Sequence, residues 1–436
     1  MHRSVQTVRI ACVLALAAAA PALADTSKVD AAAKAVEPQV IEWRRHLHAH
    51  PELSNREVKT AEYIAKQLRA MGLEVKTGIG ITGVAALIKG GKPGRTIALR
   101  ADMDALPVTE QTDVPFKSKV TTEFRGEKVG VMHACGHDGH VAILLGVAEA
   151  LVKMKDTLPG QVLLVFQPAE EGPPEGESGG AKLMIEQGLF DIAKPEAMIG
   201  LHVMASLNSG VIGYQPGPFM AGSDAFSIKV TGRQTHGSRP WAGIDPISVS
   251  GQIITGLQTI VSRQIDITEL PAVVTVGAIK GGIRFNIIPD SVEMIGTIRS
   301  FDRDMREDIV NRMRTTASNI AAASGATAEL TLRPEVAIPP VINDAELTRR
   351  AVPIFEQLVG KDNVQLTGLQ TVAEDFSFFA AQAQVPSLFF WIGITPPGKD
   401  PATAAFNHSP LFYLDESGLS TGVRAMLAVT TDFLAR

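Results

Sequence analysis

Two textures alternate along this 436-residue chain: continuous apolar runs and stretches with apolar residues at helical spacing. The runs "TIALRADMD" (96–104), "QVLLVFQPAEEG" (161–172) and "AMIGLHV" (197–203) read as strands buried on both faces. Between them, "GHVAILLGVAEALVKM" (139–154) and "GGAKLMIEQGLF" (179–190) read as helices. Upstream, residues 25–45 form a helical lead-in. In "SNREVKTAEYIAKQLRAMG", Ser54 as N-cap with Glu57 three residues on predicts a capping box and a helix ending at Gly72. Apolar strands alternating with helices predict an α/β fold with a largely parallel sheet covered on both faces. Ligands bind such sheets beyond the carboxyl ends of the strands, and those ends carry Asp102, Asp104, Glu170, Glu171 and His202.

The rhythm changes near residue 222. "DAFSIKVTG" is a strand. A helix follows with Asp245 as N-cap and Pro246 in its first position. Two strands, a helix and a strand complete a β-α-β-β-α-β order, that of a ferredoxin-like unit. Residues 222–334 are therefore expected to form a small α+β domain inserted into a larger one, which comprises 25–221 and 335–436. The second part holds a helix at 344–360, the loop "TGLQTVAEDFSFFA", a buried strand "SLFFWIG", the loop "AAFNHSPLFYLDE" and a final helix. "GPPEGESGG" (172–180) reads as a surface loop, and no internal repeat is present.

Composition adds limits. Apolar residues make up 45% and charged residues 20% of the chain, as in a globular protein with a full core. A net charge of −5 provides no basic field for nucleic acid or anionic lipid. The N-terminus has Arg3 and Arg9, then an apolar run, then Ala22-Leu23-Ala24. That is the pattern of a secretory signal cleaved after Ala24, which predicts an exported, periplasmic or secreted protein. No other segment reads as membrane-spanning. Of the two cysteines only Cys135 survives cleavage, so no internal disulfide is expected and its thiol needs another explanation.

That thiol lies in "VMHACGHDGHVAILLG" (131–146), among His133, His137 and His140. In an extended segment Cys135 and His137, two apart, would face one ion; His140, in the first turn of a helix, points less well. Thiolate, imidazole and carboxylate together suit a divalent transition ion such as zinc, manganese, cobalt or nickel. Alone, the pair reads equally well as a small core cysteine beside an incidental histidine. "PAEEG" is an independent signal, because two adjacent carboxylates at the end of a buried strand call for a compensating cation. Glu171 could bind metal while Glu170 moves a proton; the competing reading is a solvated loop. His202, near the end of an apolar strand, is a ligand or a satisfied core histidine.

Taken in order, "LRADMDALPV", "MHACGHDGH", "QPAEEG", "GLHV", "THGSRPW", "FNIIPD", "AEDF" and "FNHSP" resemble the M20 metallopeptidases. The likeness is to the amidohydrolase branch, with its hippurate hydrolases, N-acyl-amino-acid deacylases and auxin-conjugate hydrolases, and covers about residues 38–434. It implies a zinc-exopeptidase-like catalytic domain with a lid that often forms a dimer contact. It implies two divalent metal ions held by Cys135, His137, Glu171, His202 and His408, with Cys135 bridging and Glu170 as general base. His236 and Asn286 are the candidates for stabilising the oxyanion, the histidine reaching in from the lid of this or a partner subunit. The expected substrate is a small N-acyl amino acid or related amide, with a dipeptidase or carboxypeptidase activity of the same site as the alternative. A cysteine hydrolase and a metal-containing solute-binding protein are the more distant readings. His46, His48 and His50 then read as structural, and Arg299 as a partner of a substrate carboxylate or, the favoured reading, as part of a salt bridge within the lid. One of Asp102 and Asp104 orients a metal-bound histidine, and "AEDF" places Glu374 and Asp375 near the site without a defined role. "PPEGES" (173–178) interrupts the family pattern beside the base and is expected to reshape the pocket rim.

Overall fold

The computed structural model describes residues 26–436; the expected leader at 1–24 lies outside the described residues. A central sheet of eight strands is built from β1 (Val75–Ile79), β2 (Gly83–Lys89), β3 (Lys92–Asp102), β4 (Pro159–Gln167), β5 (Ala197–Asn208) and β6 (Ile212–Tyr214), with two strands from late in the chain. The segment between contributes a second sheet, from β7 (Gly222–Thr231), β8 (Val273–Gly281), β9 (Ser291–Ser300) and β10 (Thr327–Leu332). The late strands of the central sheet are β11 (Val364–Leu366) and β12 (Ser387–Thr395).

The order across the central sheet is β1-β2-β4-β3-β5-β12-β6-β11. The four middle strands, β4, β3, β5 and β12, are mutually parallel; β2 and β6 flank them antiparallel. The sheet is therefore mixed, with a parallel centre. Its apolar runs are continuous because both faces are covered. Along β4, Val162, Leu164 and Phe166 join one hydrophobic cluster while Leu163 and Val165 join another on the opposite face. Each such side chain contributes roughly 1.5–3 kcal/mol by leaving water. Helices Thr26–Ala49, His137–Lys153 and Ser417–Leu434 cover the first face; Gly180–Glu186 and Ser377–Ala383 pack on the second.

The second sheet has the order β8-β9-β7-β10, all neighbours antiparallel, which is the ferredoxin-like arrangement. Helices Pro246–Arg263 and Arg303–Ala323 pack on one side of it over a separate cluster including Phe226, Ile253, Met294 and Met313. The Asp245 carboxylate accepts from the backbone N–H of Ile247 and Ser248, the cap expected from sequence.

The capping box at Ser54 does not form. The helix begins at Val58, and neither Ser54 nor Glu57 caps it with a side chain. Ser54 Oγ instead donates to Asp104 Oδ2 at 2.7 Å. The buried Glu57 accepts from Thr82 Oγ1 (2.7 Å) and the N–H of Ala169 (2.8 Å). Glu52 takes over the helix terminus, accepting from the N–H and hydroxyl of Thr60. Tertiary partners near the site outcompete a local cap worth about 1 kcal/mol.

Candidate metal centre

Beyond the carboxyl ends of the parallel strands the chain makes tight turns, and these aim the chemistry. Strand β4 stops at Gln167, short of the acids; Ala169 has φ 52°, and Glu170 and Glu171 lie in the turn that follows. His202 lies within β5, just past Gly200, where pairing with β3 ends. The extended geometry expected for Cys135-Gly136-His137 does not form either. Gly136 is left-handed (φ 91°, ψ 17°), and His137 is already the first helical residue. A Cβ at position 136 would lie 2.3 Å from Val203 Cγ2, so glycine is required there for both conformation and space. The turn at Gly136, rather than strand alternation, brings Cys135 and His137 together.

Cys135 Sγ is buried, 3.4 Å from His202 Nε2 and 3.2 Å from His408 Nε2. His408 Nε2 is 3.1 Å from Glu171 Oε1, and His137 Nε2 is 3.9 Å from the same oxygen. Two groups of ligand-type atoms share the sulfur: Cys135 with His137 and His202, and Cys135 with Glu171 and His408, each within 4.8 Å. All five expected ligands are thus gathered. Glu170 is beside them, its Oε2 3.9 Å from His137 Nε2.

Hydrogen bonds decide which nitrogens are free. His137 Nδ1 donates to the Asp104 carbonyl and His202 Nδ1 to the Val203 carbonyl, each at 2.8 Å. Both imidazoles therefore turn Nε2 toward the centre, where the neutral ring would offer a lone pair to an ion. His140 differs: its Nε2 accepts from the N–H of Val203, and its Nδ1 donates to Asp102. With both nitrogens engaged it is a structural histidine. Asp104 thus orients His137, chiefly through its main chain, whereas Asp102 holds His140.

The polar balance fits a cation. His137 Nε2 is buried without a hydrogen-bond partner, a costly state unless something binds it, and Glu171 Oε1 has the His408 imidazole 3.1 Å away. Burial and the nearby Glu171 and Glu170 push the Cys135 thiol well above its usual range. Burial together with Glu374, Glu171 and Asp375 likewise pushes Glu170 up. Burial alone would lower His137, but Asp102, Asp104 and Glu171 outweigh it and raise it to about 10. Protons thus hold charge where divalent ions would compensate the acids directly.

Two supports were not anticipated from sequence. Arg100, fully buried in β3, donates to Gln167 Oε1 (2.8 Å), Asp102 Oδ2 (2.8 Å), Glu374 Oε1 (2.9 Å) and Asp375 Oδ1 (3.1 Å). It ties the "AEDF" acids, which sit beside Glu170, to the floor of the site. The second is Asn407, whose amide donates to the carbonyls of Cys135 and Val203 and accepts from the N–H of Ala205. It pins the loop carrying His408, a residue at φ 74°. A charged residue inside an apolar run, and an asparagine next to a candidate ligand, were the available signals.

His236 and Asn286 are not part of this cluster. They lie side by side in the 222–334 segment, where Thr235–His236 pairs with Ile287–Ile288. His236 is exposed, and its Nδ1 lies 2.8 Å from Ser238 Oγ. Asn286 Oδ1 is buried without a partner. The salt bridge expected of Arg299 is absent among the described residues; it is half-buried, and burial lowers its pKa. His48 is buried between Asp138 and Glu110, and His46 stacks on Tyr63, so that histidine run is structural as read. The 173–178 stretch folds over the 55–56 turn. Arg56 pairs with both oxygens of Glu177, and Asn55 Nδ2 donates to Glu177 Oε2 and the Ser178 carbonyl.

The sequence profile of peptidase family M20/M25/M40 matches residues 98–432. Thermostable carboxypeptidase 2 of Saccharolobus solfataricus is 43% identical over 399 residues, 91% of this chain and 96% of that one. An N-acetylcysteine deacetylase of Bacillus subtilis is 39% identical over 395 residues, 89% of this chain and 94% of that one. The crystal structure of the Bacillus subtilis YXEP protein, described as a dinuclear metal binding peptidase, superimposes with a TM-score of 0.77. Its identity is 35%, over 92% of this chain and 99% of that one. This chain belongs to the peptidase family M20/M25/M40 and is a metal-dependent hydrolase of its amidohydrolase and peptidase group.

Proposed function

We propose that the protein hydrolyses the amide bond of N-acyl amino acids at a dinuclear centre. Cys135, His137, Glu171, His202 and His408 would hold two divalent ions, of zinc, manganese, cobalt or nickel, with the sulfur shared. The observation that carries this reading is the position of Cys135 Sγ at the junction of two ligand groups. Bound there, the ions supply Lewis acidity and lower the pKa of water. Glu170 is the base: it takes the proton from the attacking water and delivers it to the leaving amine. His236 and Asn286 are proposed to meet the oxyanion when the 222–334 unit moves against the site, and that unit to form contacts between two copies. The N-terminal pattern supports export before the enzyme acts.

A second reading, release of a C-terminal amino acid from peptides, is favoured by the likeness to the Saccharolobus carboxypeptidase. Comparing N-acetyl and N-benzoyl amino acids with dipeptides separates the two. Chelation is expected to abolish turnover, and added divalent metal to restore it. Glu170→Gln is expected to keep its metal, read by elemental analysis, while kcat falls about 10²–10⁴-fold. Full activity in that variant, or in the chelated protein, contradicts the reading.

A further inference from the structure

Glu57 is wholly buried, lies outside the five-residue ligand set, and has no part in the chemistry proposed above. It nevertheless grips the turn that carries the base. The two peptide groups flanking Glu170 are each held by a buried carboxylate. The N–H of Ala169, on one side, donates to Glu57 Oε1 at 2.8 Å; the N–H of Glu171, on the other, donates to Asp104 Oδ2 at 3.1 Å. Both acceptors are fixed in turn, Glu57 by the Thr82 hydroxyl (2.7 Å) and Asp104 by the Ser54 hydroxyl (2.7 Å). Asn55 and Arg56, between Ser54 and Glu57 in the chain, hold Glu177 and Ser178, so one short turn clasps the acid-bearing loop at both ends.

The backbone inside this clasp is strained. Ala169 has φ 52°, a left-handed conformation that a non-glycine residue keeps only where its surroundings impose it. The Glu57 bond is one such constraint. Among the described residues no hydrogen bond steadies the Glu170 carboxylate, and His137 Nε2 is 3.9 Å away. Its aim is therefore inherited from the peptide groups on either side. Aim matters, because a misplacement of about 1 Å at a reacting group can cost on the order of 10²-fold in rate.

We infer that Glu57 is a positioning residue for the reaction, holding the turn at Ala169 so that Glu170 meets the attacking water. The inference rests on the reading of Glu170 as base. Its test is kcat and KM of the metal-loaded full chain on the best substrate among the N-acyl amino acids and dipeptides compared above. Glu57→Ala is expected to lower kcat about 10- to 100-fold, with KM and metal content unchanged. Glu57→Gln keeps an oxygen for the Ala169 N–H and should stay within about threefold of the native kcat. Added to Glu170→Gln, Glu57→Ala should cost less than about a further twofold, because the group it aims is already gone. Native kcat in Glu57→Ala overturns the inference and leaves the base reading standing. Loss of metal in that variant overturns it too, since the turn would then serve a ligand. So does an undiminished cost in the Glu170→Gln background, the mark of general damage. Full activity of Glu170→Gln alone removes the base reading itself. If Glu57→Ala does not fold, Glu57→Asp, one methylene too short to reach, carries the same test.

Discussion

At the scale of single residues, the surroundings of each side chain fix its role more than its type does. His137, His140 and His202 are all buried histidines near Cys135, yet only His140 has its Nε2 taken up by a backbone N–H, whereas His202 Nε2 faces the Cys135 sulfur. The spacing of "CGHDGH" favours His137 over His140 as a ligand but does not reveal what occupies His140, because its partners, Asp102 and Val203, come from other strands. Glu57 shows the same dependence. Burial and the nearby Asp104 push its carboxyl up to about 7 from 4.5. The folded chain therefore holds this proton more tightly than the unfolded chain. Its contribution to stability is full below about pH 4.5 and is lost as pH rises through 7. At about 1.4 kcal/mol per pH unit, the loss is on the order of 3 kcal/mol. Urea unfolding at pH 5 and pH 8 is expected to show a smaller difference in Glu57→Gln than in the native protein. Equal differences would show that the site does not hold a proton at Glu57.

Among the elements, those with long, unambiguous patterns were legible. The apolar runs of β3, β4 and β5, the helix capped by Asp245 and the β-α-β-β-α-β order all form. The antiparallel flanks β2 and β6 were not, since strand direction leaves no mark on an apolar run buried on both faces. Turns were the least legible. Gly136 reads as one of many glycines until the close approach of Val203 is seen. A left-handed alanine there is strained, and its Cβ would clash. Gly136→Ala is expected to lower stability by more than about 1 kcal/mol, read as a shift in the midpoint of denaturant unfolding. An unchanged midpoint would mean that the turn relaxes at no cost. The lost capping box gives the complementary lesson: "SNRE" carries the correct local signal, but Ser54 and Glu57 face the site, where Asp104, Thr82 and Ala169 bind them more strongly.

Over the whole molecule, motif order foretold the gathering of the five candidate ligands, because the motifs collect at the carboxyl ends of the parallel strands at the centre of the sheet. It did not foretell the arginine and asparagine that brace them, which act across the fold rather than within a motif. An ion bound at this centre ties together segments far apart in the chain, and it binds the native state in preference to the unfolded one. Metal is therefore expected to raise the melting temperature, by about 2.7 kcal/mol of added stability at one hundred times its dissociation constant. Calorimetry of chelated and reloaded protein measures this, and coincident transitions would argue against a native-state metal site. The Cys135–His408 contact has a further consequence, for biogenesis. The two residues are 273 positions apart, and the loop bearing His408 is pinned by Asn407 reaching Cys135 and Val203 and by the His408 N–H donating to the Ala134 carbonyl. A nascent chain that has not yet yielded its last segment has no complete cage. The complete cage is therefore a property of the finished chain and is not shared by any shorter N-terminal part of it.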